Sequence, residues 1–349
     1  MIEIRLALLG LGNVAQAFIK LLGRKIEFIN RHEVTVTLVG VATQNHGIAI
    51  NPGGLDTGRL IAAYRAGQSL EKFHTDSRVP DTLEFISRVE ADILIDCTPL
   101  NLNAGQPAVD HIATALLRGM HVVTANKSAP AFAYKNLRNI ARQQDIAFLF
   151  EGTVLAGIPI FSFVRQLLPA TEIIGFRGAI NSTTNFILTA MEEGLSQEDG
   201  LRQAQALGIP EHDPNYDLDG WDAAAKTAIL ANVLLGANLT PPEVERTGIR
   251  HLTTRTVIEA VRQGRRFKLL AEAQRHHDIV TTRVCPRMLP FTNPLANVSG
   301  SAAALTLLTD TMGEITLHLS EGEVSQTAYA LLADLISVIQ SYYASPEQS

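Results

Sequence analysis

Residues 4–15 read Ile4-Arg5-Leu6-Ala7-Leu8-Leu9-Gly10-Leu11-Gly12-Asn13-Val14-Ala15. Past Arg5 the run to Leu9 is wholly apolar, as expected of a strand buried on both faces of a sheet. Gly10-Leu11-Gly12-Asn13-Val14-Ala15 then matches G-x-G-x-x-A. In that pattern Gly10 permits the tight turn, Gly12 lets the backbone approach a pyrophosphate, and Ala15 allows close packing of the next helix. A helix over 14–22 turns its N-terminal N–H groups to the phosphates. Alone the motif is also an ordinary glycine turn; directly after a buried strand it reads as a dinucleotide fingerprint. Gly10, Leu11, Gly12, Asn13 and Val14 are therefore candidate cofactor contacts.

Working outward, 34–41, 92–97, 121–124 and 147–150 read as further short apolar strands, with helical stretches at 108–118 and 128–144. Strands alternating with helices predict an α/β fold: a Rossmann-type, doubly wound parallel sheet over residues 1–150. The pattern then changes. A helix over 158–168, a strand over 172–180, and a helix from Ser196 to Leu207 with a Ser196/Asp199 cap precede an acidic segment, 211–219. A long alanine-rich helix follows, then alternating strands at 267–275, 279–285 and 314–319. This predicts a mixed α+β domain over 151–323. Residues 324–349 are expected to form a C-terminal helix returning to the first domain.

At the end of the second strand an NAD-selective site often carries an acid for the ribose hydroxyls. Residues 41–46 are Val-Ala-Thr-Gln-Asn-His, with neither an acid nor an arginine. Thr43, Gln44 and Asn45 are left to meet the ribose or its phosphate, and NAD and NADP both stay open.

The chain has 349 residues, more than one core usually organises, which suits two domains. With 46% hydrophobic and 18% charged residues the composition is globular and not disordered. A net charge of −6 without a Lys/Arg run argues against nucleic acid as partner. The two cysteines, Cys97 and Cys285, form neither a disulfide framework nor a zinc spacing, so a reducing, cytoplasmic location is expected. The apolar N-terminus lacks the basic flank of a signal peptide. No run approaches the roughly 20 apolar residues that span a bilayer, so no membrane partner is expected.

A nucleotide-binding domain leaves the substrate open. Lys127 follows the carboxyl end of a strand, where open α/β sheets bind ligands. Lys226 stands four residues after Asp222, so the two share a helical face, and the small Ala223, Ala224 and Ala225 leave room for a ligand. The plainer reading is a surface ion pair worth a few tenths of a kcal/mol. Glu211, Asp213, Asp217, Asp219 and Asp222 crowd the segment before that helix. They read as a pocket for a cationic group such as an α-ammonium, as a metal site without EF-hand spacing, or as a solvated loop. Asn181-Ser182-Thr183-Thr184-Asn185 suits a helix N-cap or a site of hydroxyl and amide donors. Residues 151–157, EGTVLAG, suit a plain interdomain turn, or a loop whose carbonyls cradle a hard monovalent cation beside Glu151.

The ordered set GLGNVA (10–15), TPLN (98–101), HVVTANK (121–127), EGTVLAGIP (151–159), GAINSTTNFIL (178–188), LGIPEHDPNYDLDGWDAAAK (207–226) and NPLANVSG (293–300) resembles the homoserine dehydrogenase family over nearly the whole chain. Residues 207–226 are the most specific, joining Gly208, the acids and Lys226 at the family's spacing. The resemblance implies reversible reduction of L-aspartate 4-semialdehyde, a small amino-acid substrate, to L-homoserine with NADP or NAD, on the route to threonine, methionine and isoleucine. It implies that Gly12, Asn13 and Val14 line the pyrophosphate, with Thr98 near the cofactor and Gly208 beside the nicotinamide. Lys127 would lie between cofactor and substrate, and Lys226 would give the proton to the nascent alkoxide. Glu211 and Asp222 would hold the substrate, with Asp217 and Thr183 beside them. Glu151 and the carbonyls of Val154, Ala156 and Ile158 match the family's sodium (Na+) site, and a homodimer is implied, with 151–323 as the catalytic and dimerisation domain.

Three stretches depart from the family. Ala15 and Ser182 stand where glycine is usual, and 321–327 lacks the usual Pro-Thr pair, though Gly322 and Thr327 can keep its cofactor role. The short form leaves no chain for a C-terminal regulatory domain, so feedback by threonine through one is not expected. Two other readings compete. An acyl-phosphate dehydrogenase needs a cysteine thiolate, yet Cys97 and Cys285 read as small buried hydrophobes. A non-catalytic nucleotide-binding regulator of the same fold would not need Lys127, Glu211, Asp222 and Lys226 together.

Overall fold

The N-terminal apolar run forms β1 (Ile2–Leu9) of the computed structural model, which describes residues 2–75, 77–210 and 213–343. Leu6 to Leu9 are buried without a break, so both faces of the strand are covered. Next come α1 (Asn13–Arg24), α2 (Ile26–Asn30), β2 (Val34–Thr43), β3 (Gly47–Ile50), α3 (Thr57–Arg65) and α4 (Thr82–Arg88). β4 (Ile93–Asp96), α5 (Ala108–Leu117), β5 (His121–Thr124), α6 (Ser128–Gln143) and β6 (Phe148–Leu149) complete this part. The strands form one sheet in the order β3-β2-β1-β4-β5-β6. β2, β1, β4, β5 and β6 run parallel. β3 turns back antiparallel to β2, which makes the edge mixed. A four-residue run, Gly-Ile-Ala-Ile, has no alternation to announce it. The order reverses between β1 and β4, so the crevice for a nucleotide opens at their carboxyl ends.

Further on the chain forms α7 (Ile160–Leu167), β7 (Ile173–Ala179), α8 (Ser182–Glu192), α9 (Gln197–Ala206), α10 (Asn215–Leu218) and α11 (Trp221–Leu234). β8 (Glu245–Arg246), α12 (Thr254–Arg262), β9 (Arg265–His276), β10 (Ile279–Pro290), β11 (Ala303–Thr309) and β12 (Glu314–Leu319) follow, and α13 (Val324–Tyr342) closes the chain. The second sheet has the order β12-β11-β7-β9-β10-β8 and is antiparallel except where β8 joins β10. α8, α11 and α12 pack on it. α11 comes close because the residues it buries include Ala223, Ala224, Ala225, Ala228 and Ala231. Within the acidic segment the described part is not all loop: Asp213 accepts from the Asn215 N–H, and α10 winds from there.

The chain divides into two units, Met1–Gly157 with Val324–Ser349, and Ile158–Glu323. The first closes at Gly157 and not at residue 150 because 151–157 is tied to α13. The Glu151 N–H donates to Asp334 Oδ2 at 2.9 Å, and a methyl on Gly157 would sit 3.1 Å from the Gln326 carbonyl oxygen. Leu331, Leu332, Leu335, Val338 and Ile339 of α13 share one core with Ala15, Phe18 and Ile19 of α1. Each such leucine contributes about 1.5–3 kcal/mol by leaving water.

Candidate active site

Gly10 ends β1 with φ +81°, and a methyl there would sit 3.1 Å from the Cys97 carbonyl oxygen. Both the left-handed backbone and the approach of the β4 end require glycine. Over Gly12 the space is open, with no atom within 4 Å of where a side chain would start. No side chain caps α1, and its first turn holds no acid. The N–H groups of the first turn are thus left for an anion, with the helix dipole behind them. The Leu11 side chain is buried, and its carbonyl accepts from Gln16 Nε2 at 2.9 Å. An open glycine backbone beside an uncapped helix N-terminus fits the pyrophosphate of a dinucleotide.

The ends of β4 and β5 form a hydrogen-bonded body around Asp96, which is fully buried. Asp96 Oδ1 accepts from the Thr98 N–H at 2.9 Å and the Thr98 hydroxyl at 2.6 Å; Oδ2 accepts from Thr124 Oγ1 at 3.1 Å. Asn126 Nδ2 donates to Thr98 Oγ1 at 2.7 Å, and Asn126 Oδ1 accepts from the Ser128 N–H. Burial raises the Asp96 pKa, and the bonds from Thr98 and Thr124 pull it back. The segments around 98–101 and 124–128 are so fixed together, and Lys127 is held directly before α6.

The second unit gathers a different cluster. Lys226 Nζ pairs with Asp222 Oδ2 at 2.8 Å and donates to the Ile180 carbonyl at 2.8 Å. Both side chains are only 13% exposed, which excludes an ordinary surface ion pair. Asn181 Nδ2 donates to Asp222 Oδ2 at 2.9 Å and to Asp217 Oδ1 at 2.5 Å, while its Oδ1 caps α8 through the Thr184 N–H. The N-cap reading of 181–185 is thus met by Asn181 Oδ1, while Nδ2 of the same side chain ties the two carboxylates together. Thr183 is buried and hydrogen-bonds Asp217. Burial first, then the charge of Asp222, pushes the Asp217 carboxyl up to about 6, against the bond from Asn181 and the charge of Lys226. An ammonium has three N–H donors, so two acceptors leave Lys226 a third for a ligand.

Gly208 ends α9 with φ +69°, its N–H donating to the Gln205 carbonyl, and the space beside it is open. Gly322 lies in the second unit by the start of α8, where a methyl would meet Ser182 Oγ at 3.1 Å. Glu151 is buried, Val154 is buried, and Ala156 adopts φ +46° in the first unit; Ile158 opens the second. Glu211 lies outside the described residues. Burial and Asp96 raise the Cys97 thiol well above its usual range, and burial raises Cys285 also. Neither is primed as a thiolate nucleophile. The Ile180 carbonyl is a site group that sequence reasoning does not single out, and the pattern of 181–185 does not name the carboxylates that Asn181 meets: these contacts span 36 to 46 residues, beyond any local pattern.

A family model described as the NAD binding domain of homoserine dehydrogenase matches residues 10–151, and one described as homoserine dehydrogenase matches 159–336. An NAD(+)-dependent homoserine dehydrogenase of Pseudomonas canavaninivorans is 36% identical over 343 residues, 98% of this chain and 97% of that protein. The homoserine dehydrogenase of Methanocaldococcus jannaschii is 33% identical over 335 residues, 96% of this chain and 98% of that protein. Among solved structures, a hyperthermophilic archaeal homoserine dehydrogenase in complex with NADPH superposes with a TM-score of 0.82 at 28% identity, covering 98% of this chain and 99% of its own.

Proposed function

The chain belongs to the homoserine dehydrogenase family of NAD(P)-dependent oxidoreductases, and on that premise we propose that it reduces L-aspartate 4-semialdehyde reversibly to L-homoserine. The observation that carries this reading is the mostly buried cluster of Lys226, Asp222, Asn181 and Asp217, whose lysine and Asp222 side chains are each 13% exposed. Two carboxylates in a half-dry site attract the substrate's α-ammonium. Lys226, steadied by Asp222 and the Ile180 carbonyl, points its remaining N–H at the aldehyde oxygen. It stabilises the negative charge that grows there and gives up the proton; in the reverse direction the amine takes the hydroxyl proton. The nicotinamide, when bound, supplies or accepts the hydride.

Gly10, Leu11, Gly12, Asn13 and Val14 receive the pyrophosphate, and Thr98, Gly208 and Gly322 contribute further cofactor contacts. Lys127 adds a second positive charge toward cofactor and substrate. Thr183 holds Asp217 in place, and Glu211 joins the substrate set on the family likeness. On the family likeness, Glu151 and the carbonyls of Val154, Ala156 and Ile158 would hold a sodium ion. A homodimer and a cytoplasmic location follow from the same likeness; no helix among the described residues is long and apolar enough to cross a membrane. A regulator that binds nucleotide without turnover would have no use for a lysine–carboxylate cluster withdrawn from water.

The test is an assay of the purified chain with aspartate semialdehyde and NADH or NADPH, with and without sodium. The expected result is coenzyme oxidation matched by homoserine formation, faster with sodium. Binding of coenzyme without any oxidation of either would overturn the reading, and indifference to sodium would remove the cation from it.

A further inference from the structure

The end of β2 holds no acid, and its one hydroxyl is already engaged. Thr43 Oγ1 donates to the Gly47 carbonyl at 2.9 Å and accepts from the His46 N–H at 3.1 Å, so it serves the β2–β3 turn. The group best placed at this corner comes from another element. α3 ends against the turn: the Tyr64 and His46 rings stand 4.3 Å apart, and the Leu70 N–H donates to the His46 carbonyl at 2.7 Å. Arg65, the last residue of α3, donates through Nε to Gln16 Oε1 at 2.8 Å. Gln16 is 6% exposed and binds the Leu11 carbonyl through its other end. A buried amide thus links the dinucleotide fingerprint to an exposed guanidinium.

The anchor uses only Nε. No carboxylate among the described residues pairs with Arg65, so the two Nη groups remain for an acceptor outside the chain. A guanidinium held by one edge offers the rest of its fork to a phosphate in fixed geometry. In this fold the adenosine ribose lies at the end of the second strand, where an acid reads the 2′-hydroxyl or an arginine accommodates a 2′-phosphate. Resting on the dinucleotide site proposed above, we infer that Arg65 reads the 2′-phosphate of the coenzyme and sets a preference for NADPH over NADH. Family membership alone does not make that choice. Gln16 is its positioning residue, coupling the phosphate contact to the fingerprint turn.

Isothermal titration of the full chain and of Arg65→Ala tests this, with NADPH, NADH, and the fragments 2′-phospho-ADP-ribose and ADP-ribose. The unmodified chain should bind each phosphorylated ligand more tightly than its partner. Arg65→Ala should lose about 10- to 100-fold for the phosphorylated ligands, the scale of charge-assisted hydrogen bonds, and change little for the others. An unchanged melting temperature would show that the exposed position is not structural. Equal losses for both members of each pair, or none, would overturn the inference while leaving the dinucleotide site standing. If the unmodified chain bound no coenzyme or fragment, the dinucleotide reading would fall, and the inference with it.

Discussion

A lysine on a helix four residues after an aspartate is a common and weak pair when water surrounds it. Here Asp222 and Lys226 are mostly withdrawn from solvent, and the same aspartate also accepts from Asn181. The consequence reaches Asp217, whose carboxyl is pushed up to about 6 by burial and by Asp222. A carboxylate raised in this way carries its charge only above that pH. Below about pH 6 it is neutral and cannot attract an ammonium. We therefore expect kcat/KM for the semialdehyde, which reports the free enzyme, to fall as the pH drops through about 6. In Asp217→Asn the acid limb from that group should vanish, leaving a lower, flatter profile. A pH profile of the variant that keeps the same limb would assign the titration elsewhere. At this scale the sequence is half legible. The spacing of 222 and 226 announces a shared face, but burial of that face depends on β7 and α8 and has no local signature.

Among elements, the strand–turn–helix at the N-terminus is the most readable, because each residue meets a separate steric demand. Gly10 must be left-handed and close to Cys97, and Gly12 must leave its backbone bare. The α9 cap is legible for the same reason: Ser196 Oγ accepts from the Asp199 N–H as its spacing suggests. β3 and α10 are short and carry no period, so only the completed turn and the Asp213 contact reveal them. α13 is readable as a helix returning to the first domain, but the side chains of α1 that it meets there are not, since they lie at the other end of the chain. Leu335 is fully buried in the core that α1 shares. Leu335→Ala should cost about 2–5 kcal/mol, the range for emptying a buried leucine site. Urea unfolding followed by loss of coenzyme binding measures this. An unchanged midpoint would mean that α13 does not hold the nucleotide unit together.

The whole molecule divides its labour. One unit carries an open glycine turn suited to a dinucleotide, and the other carries an acid–lysine cluster suited to an amino-acid aldehyde. Neither feature alone defines a dehydrogenase, and the order of motifs along 349 residues ties them to one family. Reduction then turns on Lys226 as the proton donor proposed for the new alkoxide. The direct measurement is kcat of Lys226→Ala with aspartate semialdehyde and saturating coenzyme, alongside coenzyme affinity as a check that the first unit is intact. The expected result is a loss of roughly 10²–10⁴-fold in kcat, the scale of general acid catalysis, with coenzyme affinity unchanged. Turnover close to that of the unmodified chain would contradict it.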